Sequence, residues 1–349
     1  MTIAGVASAF PPHKYDQRVL LSALQRHFGP MVENPVFMER LQARVGVETR
    51  HLALPIEEYY DLKSWGKANN HWIEVAEELG QKALCGALTR AGFATSDLGA
   101  IFFVSITGIS SPSIDARLIN RMSLPVNIKR VPIFGLGCVA GAAGIARAAD
   151  YVLAYPKQVA AVLAVELCSL TLQQGDLSVA NLISSGLFGD GAAAVLVSGA
   201  ERQANGPEIL ATRSVFYPNT EHVMGWDISE KGFRIVLSRE VPEVVHEHLA
   251  SDVDAFLEEQ GLSRSDIGNW ILHTGGPRVL EATAAALDLP EDALAVSWEC
   301  LRRTGNLSSA SVLVVLEEVM TKRRPAAGTY SLLAAMGPGF CSELVLLRW

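Results

Sequence analysis

The chain has 349 residues, and 49% of them are hydrophobic, so it is long enough to bury a large core. Its formal net charge of -8 provides no broad basic field, which argues against nucleic acid and anionic membrane surfaces as partners. The N-terminal residues lack the basic and apolar regions of a secretory signal, and no apolar run reaches the ~18 residues of a membrane span. The sequence therefore predicts a cytoplasmic protein with no stable membrane insertion.

The cysteines are few and widely spaced along the chain. They number five, and no C-x-x-C pair occurs among them. The sequence therefore predicts neither a disulfide framework nor a metal site, and the thiols are expected to be reduced.

The first half of the chain alternates between predicted helices and buried strands. A helix over "MERLQARVG" places Arg40 and Arg44 four residues apart, which predicts two guanidinium groups on one helix face. Further on, "AGFATSDLGAIFFVSITG" indicates the end of a helix, a Ser-Asp turn and a strand. The strands are continuously apolar rather than alternating, as expected when helices cover both faces of a sheet. These features indicate a layered α/β architecture.

A single cysteine, Cys138, follows the next apolar run and begins a segment rich in alanine and glycine. The segment predicts a helix with almost no polar face, which must be buried. A cysteine in the first helical turn is close to the positive end of the helix dipole, which favours the thiolate and makes Cys138 a candidate nucleophile. The alternative is a buried cysteine that serves as a small hydrophobic side chain.

The second half of the chain repeats the first. The stretch "EQGLSRSDIGNWILHTGG" matches the Ser-Asp stretch above, and "GNLSSASVLVVLEEVM" matches the helix that begins at Cys138. Each of the paired helices leads into apolar strands. We therefore predict two similar units, residues 1–200 and 201–349, which bury their small-residue helices between two sheets and meet within the segment 198–208.

Three residues with complementary chemistry fall at matching places in the two units. If the units are related by a pseudo-twofold axis, Cys138, the strand-end His273 and the helix-start Asn306 face one site. A histidine near the cysteine can pair with the thiolate and carry its proton, and the Asn306 amide can donate a hydrogen bond to an enolate or thioester oxyanion. Taken singly, His273 fits a strand histidine bonded to backbone, and Asn306 fits a helix N-cap.

Along essentially the whole chain, the sequence resembles the type III polyketide synthases, the homodimeric, chalcone-synthase-like branch of the thiolase superfamily. The resemblance rests on "GCVAG", "GLFGDGAAAVLV", "HTGGP", "GNLSSAS" and "MGPGF". It implies a thiolase-like fold, a homodimer, and acyl-CoA and malonyl-CoA as substrates without a bound cofactor. It also implies that Cys138 accepts the acyl chain while His273 and Asn306 support decarboxylation of malonyl-CoA.

The resemblance also implies roles for residues around this site. Phe188 and Phe233 match the two phenylalanines that separate the CoA tunnel from the acyl cavity. The positions that match the cavity lining are Ile106, Thr107, Ser111, Cys168, Thr171, Leu172, Met224 and Ser308. Of these, Ser111 marks the place where a neighbouring subunit reaches into the site.

A basic cluster at the tunnel mouth is implied in the same way, because CoA carries a phosphorylated adenosine. Arg40 and Arg44 match this cluster. Phe37 stands where a third basic residue often occurs, and Arg278 is the candidate that replaces it. The alternative is that Arg40 and Arg44 only form part of a solvent-exposed helix face.

The expected product follows from the stretch "ELCSLTLQ", which is similar to bacterial synthases that make alkylpyrones or alkylresorcinols. This similarity implies a fatty acyl starter in a tunnel bordered by Cys168 and Leu172. The close alternative is a tetrahydroxynaphthalene synthase that uses malonyl-CoA alone, and it ranks lower because Ile106 replaces the cysteine usual in that cavity. The further alternatives are a ketoacyl synthase III-like enzyme with a single condensation and a catalytically silent partner subunit.

Overall fold

The computed structural model describes residues 1–31 and 35–349, and of residues 30 and 35–37 it describes only the backbone. Within these residues the strands are β1 (Thr2–Ala9), β2 (His13–Asp16), β3 (Thr49–Leu52), β4 (Leu98–Val104), β5 (Lys129–Ile133), β6 (Val159–Leu167), β7 (Asp190–Ser198), β8 (Glu208–Phe216), β9 (Met224–Ser229), β10 (Gly232–Leu237), β11 (Ile267–Leu272), β12 (Tyr330–Gly337) and β13 (Cys341–Arg348). The α-helices are α1 (Gln17–Phe28), α2 (Pro35–Ala43), α3 (Ile56–Tyr59), α4 (Trp65–Ala91), α5 (Ile114–Met122), α6 (Ala140–Ala154), α7 (Val179–Leu187), α8 (Val241–Glu258), α9 (Pro277–Leu287), α10 (Ala295–Thr304) and α11 (Ser311–Lys322).

One mixed sheet of nine strands runs through both halves of the chain, in the order β11-β12-β13-β8-β1-β7-β6-β4-β5. In the first half, β4 is parallel to β5 and β6, and β7 is antiparallel to β6 and β1. In the second half, β11 is parallel to β12, and β13 is antiparallel to β12 and β8. The halves join where β1 pairs with β8 through Thr2 and Glu208.

Helices cover both faces of this sheet. The helix α4 packs against β1, β6 and β7 on the outer side of the first half. On the inner side, α6 contacts β4, β6, β12 and β13, and α11 contacts β1, β7, β11 and β12, so both helices touch strands of both halves. Apolar side chains of α8 and α9 pack against β11, β12 and β13 on the remaining face. The predicted α/β layers with buried central helices are therefore confirmed, whereas the two predicted sheets are joined through β1 and β8 into one.

The internal repeat is visible in the backbone that precedes two equivalent strands. Thr95–Asp97 and Arg264–Asp266 form 3-10 turns that lead directly into β4 and β11. In each turn the aspartate carboxylate accepts the backbone N–H three residues earlier, at 2.8 Å in both cases. The Ser-Asp pattern therefore starts the equivalent strand in each half by the same local capping.

The central helix α6 is buried over most of its length because its first turns carry only glycine, alanine and isoleucine. A Cβ at Gly141 would lie 2.2 Å from the Ser309 carbonyl oxygen, so only glycine permits this approach of α6 to the turn before α11. The contact brings the N-terminal ends of the two helices together. None of the described helices combines the length and the hydrophobicity that a membrane span requires.

Candidate active site

Cys138 lies in a 3-10 turn, Gly137–Val139, that continues directly into α6. Gly137 adopts φ +54°, and a Cβ there would lie 2.7 Å from Pro338, so the residue before the cysteine must be glycine. The Cys138 Sγ is 3.6 Å from the Oγ of Ser308, which begins the equivalent turn before α11. The cysteine therefore stands where the sequence predicts it, at the start of the buried helix.

The electrostatic environment of this thiol differs from the prediction. Burial raises the pKa of Cys138 to about 12, the Ser308 hydrogen bond opposes this shift in part, and the Glu166 carboxylate adds to it. The start of the helix alone therefore does not favour the thiolate. A positively charged partner is required to stabilise it.

His273 directly follows β11, and its backbone N–H donates to the Ala334 carbonyl at 3.1 Å. Burial lowers the pKa of its imidazole to about 4, which makes the ring neutral near pH 7. The Nδ1 atom is buried and has no hydrogen-bond partner among the described residues, so the ring is not tied to backbone as a structural histidine would be. A neutral imidazole can accept the thiol proton or donate a hydrogen bond to an oxyanion.

The side-chain amide of Asn306 is fixed in orientation by contacts at both of its polar atoms. Its Oδ1 accepts the backbone N–H of Ser308 at 2.8 Å, and its Nδ2 donates to the Gly275 carbonyl at 3.3 Å, two residues from His273. Its own backbone N–H donates to the Leu187 carbonyl at 2.9 Å. Asn306 therefore caps the turn before α11 and directs its amide donor towards the His273 segment.

Two cavities meet at this group of residues. One, which we call the outer cavity, has a volume of about 440 Å³ and is lined by Cys138, His273 and Asn306. The other, which we call the inner cavity, has a volume of about 140 Å³. Cys138, Phe188 and Met224 line both cavities, so the thiol lies at their junction.

Exposed arginines line the outer cavity, and they are Arg44, Arg239 and Arg278. Arg40 is exposed and does not line either cavity among the described residues, so its role in binding CoA stays a prediction. The helix α2 ends at Ala43, and Arg44 lies in the turn that follows, where its N–H donates to the Leu41 carbonyl. The Phe37 side chain lies outside the described residues.

The inner cavity is lined by nearly all of the positions that the sequence predicts for it. These are Ile106, Thr107, Cys168, Thr171, Leu172, Met224 and Ser308. Ser111 is the exception, because it is exposed and lines neither cavity within the described part of this chain. The predicted place of Ser111 in the cavity lining therefore stays a prediction.

The two predicted gate residues have different surroundings. Phe188 lies at the junction of the cavities, whereas Phe233 lines neither of them among the described residues. Phe233 is instead buried against the rings of Trp65, Phe134 and Trp226, with centroids 5.8, 6.2 and 5.9 Å away. Ile235 projects from the same face of β10 two residues later, and it lines the inner cavity. This placement therefore favours Ile235 over Phe233 as the second gate residue beside Phe188.

Comparison with known proteins agrees with this geometry. Models of the chalcone and stilbene synthases match the chain in both halves, the N-terminal domain at residues 38–201 and the C-terminal domain at residues 208–349. The chain belongs to this family.

Individual relatives make the relationship more specific. The chain is 50% identical to 1,3,6,8-tetrahydroxynaphthalene synthase of Streptomyces peucetius subsp. caesius, over 100% of this chain and 93% of the relative. It is 32% identical to phloroglucinol synthase of Pseudomonas fluorescens, over 97% of each chain. The crystal structure of 1,3,6,8-tetrahydroxynaphthalene synthase from Streptomyces coelicolor, a bacterial type III polyketide synthase, superposes with a TM-score of 0.93 at 33% identity, over 100% of this chain and 99% of that one. The protein is therefore a type III polyketide synthase with a thiolase-like fold, an acyltransferase that catalyses decarboxylating condensation.

A buried carboxylate beneath the active site of the synthase was missed from the sequence. Glu166 is fully buried near the end of β6 and accepts hydrogen bonds from Ile106 N at 3.1 Å, Thr107 Oγ1 at 2.8 Å and the Ser309 hydroxyl. Burial raises its pKa to about 7, although these hydrogen bonds oppose the shift. A lone carboxylate in an otherwise apolar strand is the sequence signal that indicates such a site.

Arg50 and Arg239 were also missed. The strand β3 alternates half-buried and buried residues, which directs Arg50 inward to line the inner cavity. Arg239 follows β10 at the edge of the outer cavity, where no motif marks it. An inward arginine in an alternating strand is a usable signal, whereas the position of Arg239 depends on the packing of distant segments.

Proposed function

We propose that the synthase uses malonyl-CoA both as starter and as extender and releases an aromatic product of the tetrahydroxynaphthalene type. The observation that carries the proposal is the 50% identity, over the whole chain, to a relative of that name. The walls of the inner cavity support it, because hydroxyl, amide and guanidinium groups occur among their apolar side chains. Such groups can bind the carbonyl oxygens of a polyketide chain. Ile106 replaces the usual cysteine, but Cys168 brings a second thiol to the same cavity.

The acyl chain is held on Cys138, at the junction of the cavities. His273 takes the proton of the Cys138 thiol, and the resulting thiolate attacks the carbonyl of the CoA thioester. The CoA thiolate takes the proton back from His273 and leaves as its thiol. Burial penalises the charged form of each group by itself. Proton transfer produces a thiolate and an imidazolium together, so each charge offsets the penalty on the other.

The extender malonyl-CoA reacts in the outer cavity. Loss of CO₂ leaves an enolate whose oxygen accepts hydrogen bonds from neutral His273 and from the Asn306 amide. The enolate carbon attacks the Cys138 thioester, the new carbon–carbon bond forms, and the thiolate is released. The chain lengthened by two carbons returns to Cys138 for the next cycle. Arg44, Arg239 and Arg278 bind the phosphates of CoA during these steps.

A fatty acyl starter is the second candidate, and one feature of the inner cavity favours it. Leu20, Leu24 and Leu172 form an apolar part of its wall that can contact an alkyl chain. The change Cys168→Phe would then cut activity on long acyl-CoAs and largely spare short starters. If Cys168→Phe reduces activity equally with all starters, the alkyl path is contradicted.

We further propose that two copies of the chain form the active enzyme. The strand β5 is at an edge of the sheet, and large apolar side chains are exposed near it at Ile109, Phe134 and Leu136. An apolar surface of this kind favours association with another protein surface. Light scattering of wild type and Phe134→Asp tests this. Wild type is expected to have twice the mass of the chain, and a monomeric wild type contradicts the proposal.

The test of the proposed function is a labelling experiment. Purified enzyme is incubated with uniformly ¹³C-labelled malonyl-CoA, with and without unlabelled acyl-CoAs of graded length, and products are identified by mass. The proposal predicts an aromatic product in which every carbon is labelled, whether or not acyl-CoA is present. No product from malonyl-CoA alone, together with products that carry an unlabelled alkyl tail, would contradict it.

A further inference from the structure

Among the described residues, one permanently cationic side chain lines the inner cavity, and the reaction steps above give it no role. Arg50 is 3% exposed in β3, and among the described residues that line this cavity it is the one arginine or lysine. No aspartate or glutamate occurs among the same lining residues. A buried cation in a cavity without a carboxylate requires either a structural partner or a ligand.

The protein satisfies only part of the Arg50 guanidinium. Nη1 donates to the Phe188 carbonyl at 2.6 Å, and Nε donates to Gln17 Oε1 at 3.1 Å. Nη2 has no hydrogen-bond partner among the described residues, and it is not one of the fully enclosed polar atoms. The guanidinium therefore keeps N–H groups without a partner among the described residues, on a side chain that lines the inner cavity.

Asp190 is the nearest source of negative charge, but it does not bond to these N–H groups. Its carboxylate accepts hydrogen bonds from Ala53 N at 2.5 Å, Ser169 N at 2.8 Å and the Ser169 hydroxyl. Burial lowers the pKa of Arg50 to about 10, with Asp190 opposing the shift, so the guanidinium remains charged near pH 7. Asp190 thus stabilises the charge from a distance and leaves these N–H groups for a ligand.

We propose that Arg50 binds the terminal carboxylate of the growing chain, and thereby selects a starter that retains its carboxylate. This inference rests on the proposed function, because a malonyl group loaded on Cys138 without loss of CO₂ carries such a carboxylate, whereas an alkyl starter ends in a methyl group. Transfer of a carboxylate into an apolar cavity is unfavourable without a cation. A guanidinium edge matches the two carboxylate oxygens in geometry and charge.

The location of Arg50 also suits this role. Its Nη1 holds the carbonyl of Phe188, the residue that lines both cavities beside Cys138. The guanidinium is therefore fixed relative to the junction where the chain is attached. A chain that extends from Cys138 into the inner cavity moves its starter end away from the thiol, towards the cavity wall that Arg50 helps to form.

The test compares starters that differ only at the end remote from the thioester. Succinyl-CoA and butyryl-CoA form one pair, and adipyl-CoA and hexanoyl-CoA form a second, in which a carboxylate replaces a methyl group. Each pair competes at equal concentration for Cys138, and the ratio of the two acyl adducts is measured by peptide mass in wild type, Arg50→Gln and Arg50→Lys. Because the ratio is internal to each sample, a loss of folded enzyme does not change it.

Wild type is expected to favour the diacid in at least one pair, Arg50→Gln is expected to lower that ratio about tenfold or more, and Arg50→Lys is expected to retain part of it. Gln17→Ala is the matched control, because it removes the Nε partner and keeps the charge. A wild-type preference for the monoacid in both pairs, or an equal ratio in wild type and Arg50→Gln, overturns the inference. The adduct ratio does not depend on which final product forms. If malonyl-CoA fails as a starter, the labelling experiment shows this independently of the adduct ratio.

Discussion

The two cavities that meet at Cys138 place their positive charges in opposite ways. The outer cavity has exposed arginines at its edge, whereas the inner cavity has one guanidinium that is buried and held by Phe188 and Gln17. Solvent screens an exposed cation, so it contributes modestly to binding and discriminates little between ligands. A buried cation is costly to leave unpaired, so it selects strongly by charge. This difference is the basis for our proposals that the outer cavity binds CoA and that the inner cavity selects the chain.

The largest expected effect comes from Cys138, which lines both cavities. Cys138→Ser should reduce polyketide formation by several orders of magnitude, because a serine hydroxyl is a far weaker nucleophile than a thiolate near neutral pH. Product formation from malonyl-CoA measures the loss. Cys341→Ser is the matched control, since this thiol lines neither cavity among the described residues. Near-normal turnover by Cys138→Ser would contradict the proposal that Cys138 accepts the acyl chain.

The next effect concerns the charge of the thiol at the junction. In wild type, transfer of the proton to His273 should make Cys138 reactive towards iodoacetamide near neutral pH. In His273→Ala the positive partner is lost, so the pKa of the thiol should rise above its wild-type value. Alkylation rates over a range of pH measure the shift to higher pH. Identical profiles in the two proteins would show that His273 does not activate the cysteine.

The smallest effects are expected at the exposed edge of the outer cavity. Arg44→Ala, Arg239→Ala and Arg278→Ala should each raise the KM for malonyl-CoA by about two- to fivefold with little change in kcat, because an exposed charge is worth up to about 1 kcal/mol. Arg40→Ala is the matched control, and it should leave KM unchanged. Steady-state kinetics with malonyl-CoA give KM and kcat for each variant. A larger KM effect at Arg40 than at Arg44 would reverse the assignment, and a fall in kcat at constant KM would contradict a role in CoA binding.

The layered fold and the central residues of the site could be predicted from the sequence because both rest on local patterns. The Ser-Asp turns before β4 and β11 use the same capping interaction, so the repeat can be recognised from residues that are neighbours in the sequence. The small-residue start of α6 requires burial, and burial fixes the place of Cys138. The repeat then places His273 and Asn306 at equivalent element ends.

The parts that could not be predicted depend on packing between distant segments. The β10 sequence contains both Phe233 and Ile235 on one face, and only the position of the strand relative to the cavity distinguishes them. The end of α2 at Ala43, one residue before Arg44, likewise depends on packing that the sequence pattern does not show. The raised pKa of Cys138 follows from desolvation by many surrounding residues, whereas the helix-start argument considers the backbone alone.

The most direct test of the account is the location of the covalent acyl group. The enzyme is incubated with malonyl-CoA, quenched with acid during turnover, digested, and analysed by mass to identify the modified cysteine. We expect a malonyl-derived acyl adduct on the peptide that contains Cys138, at the junction of the outer and inner cavities. An adduct found only on Cys168 or Cys341 would contradict it.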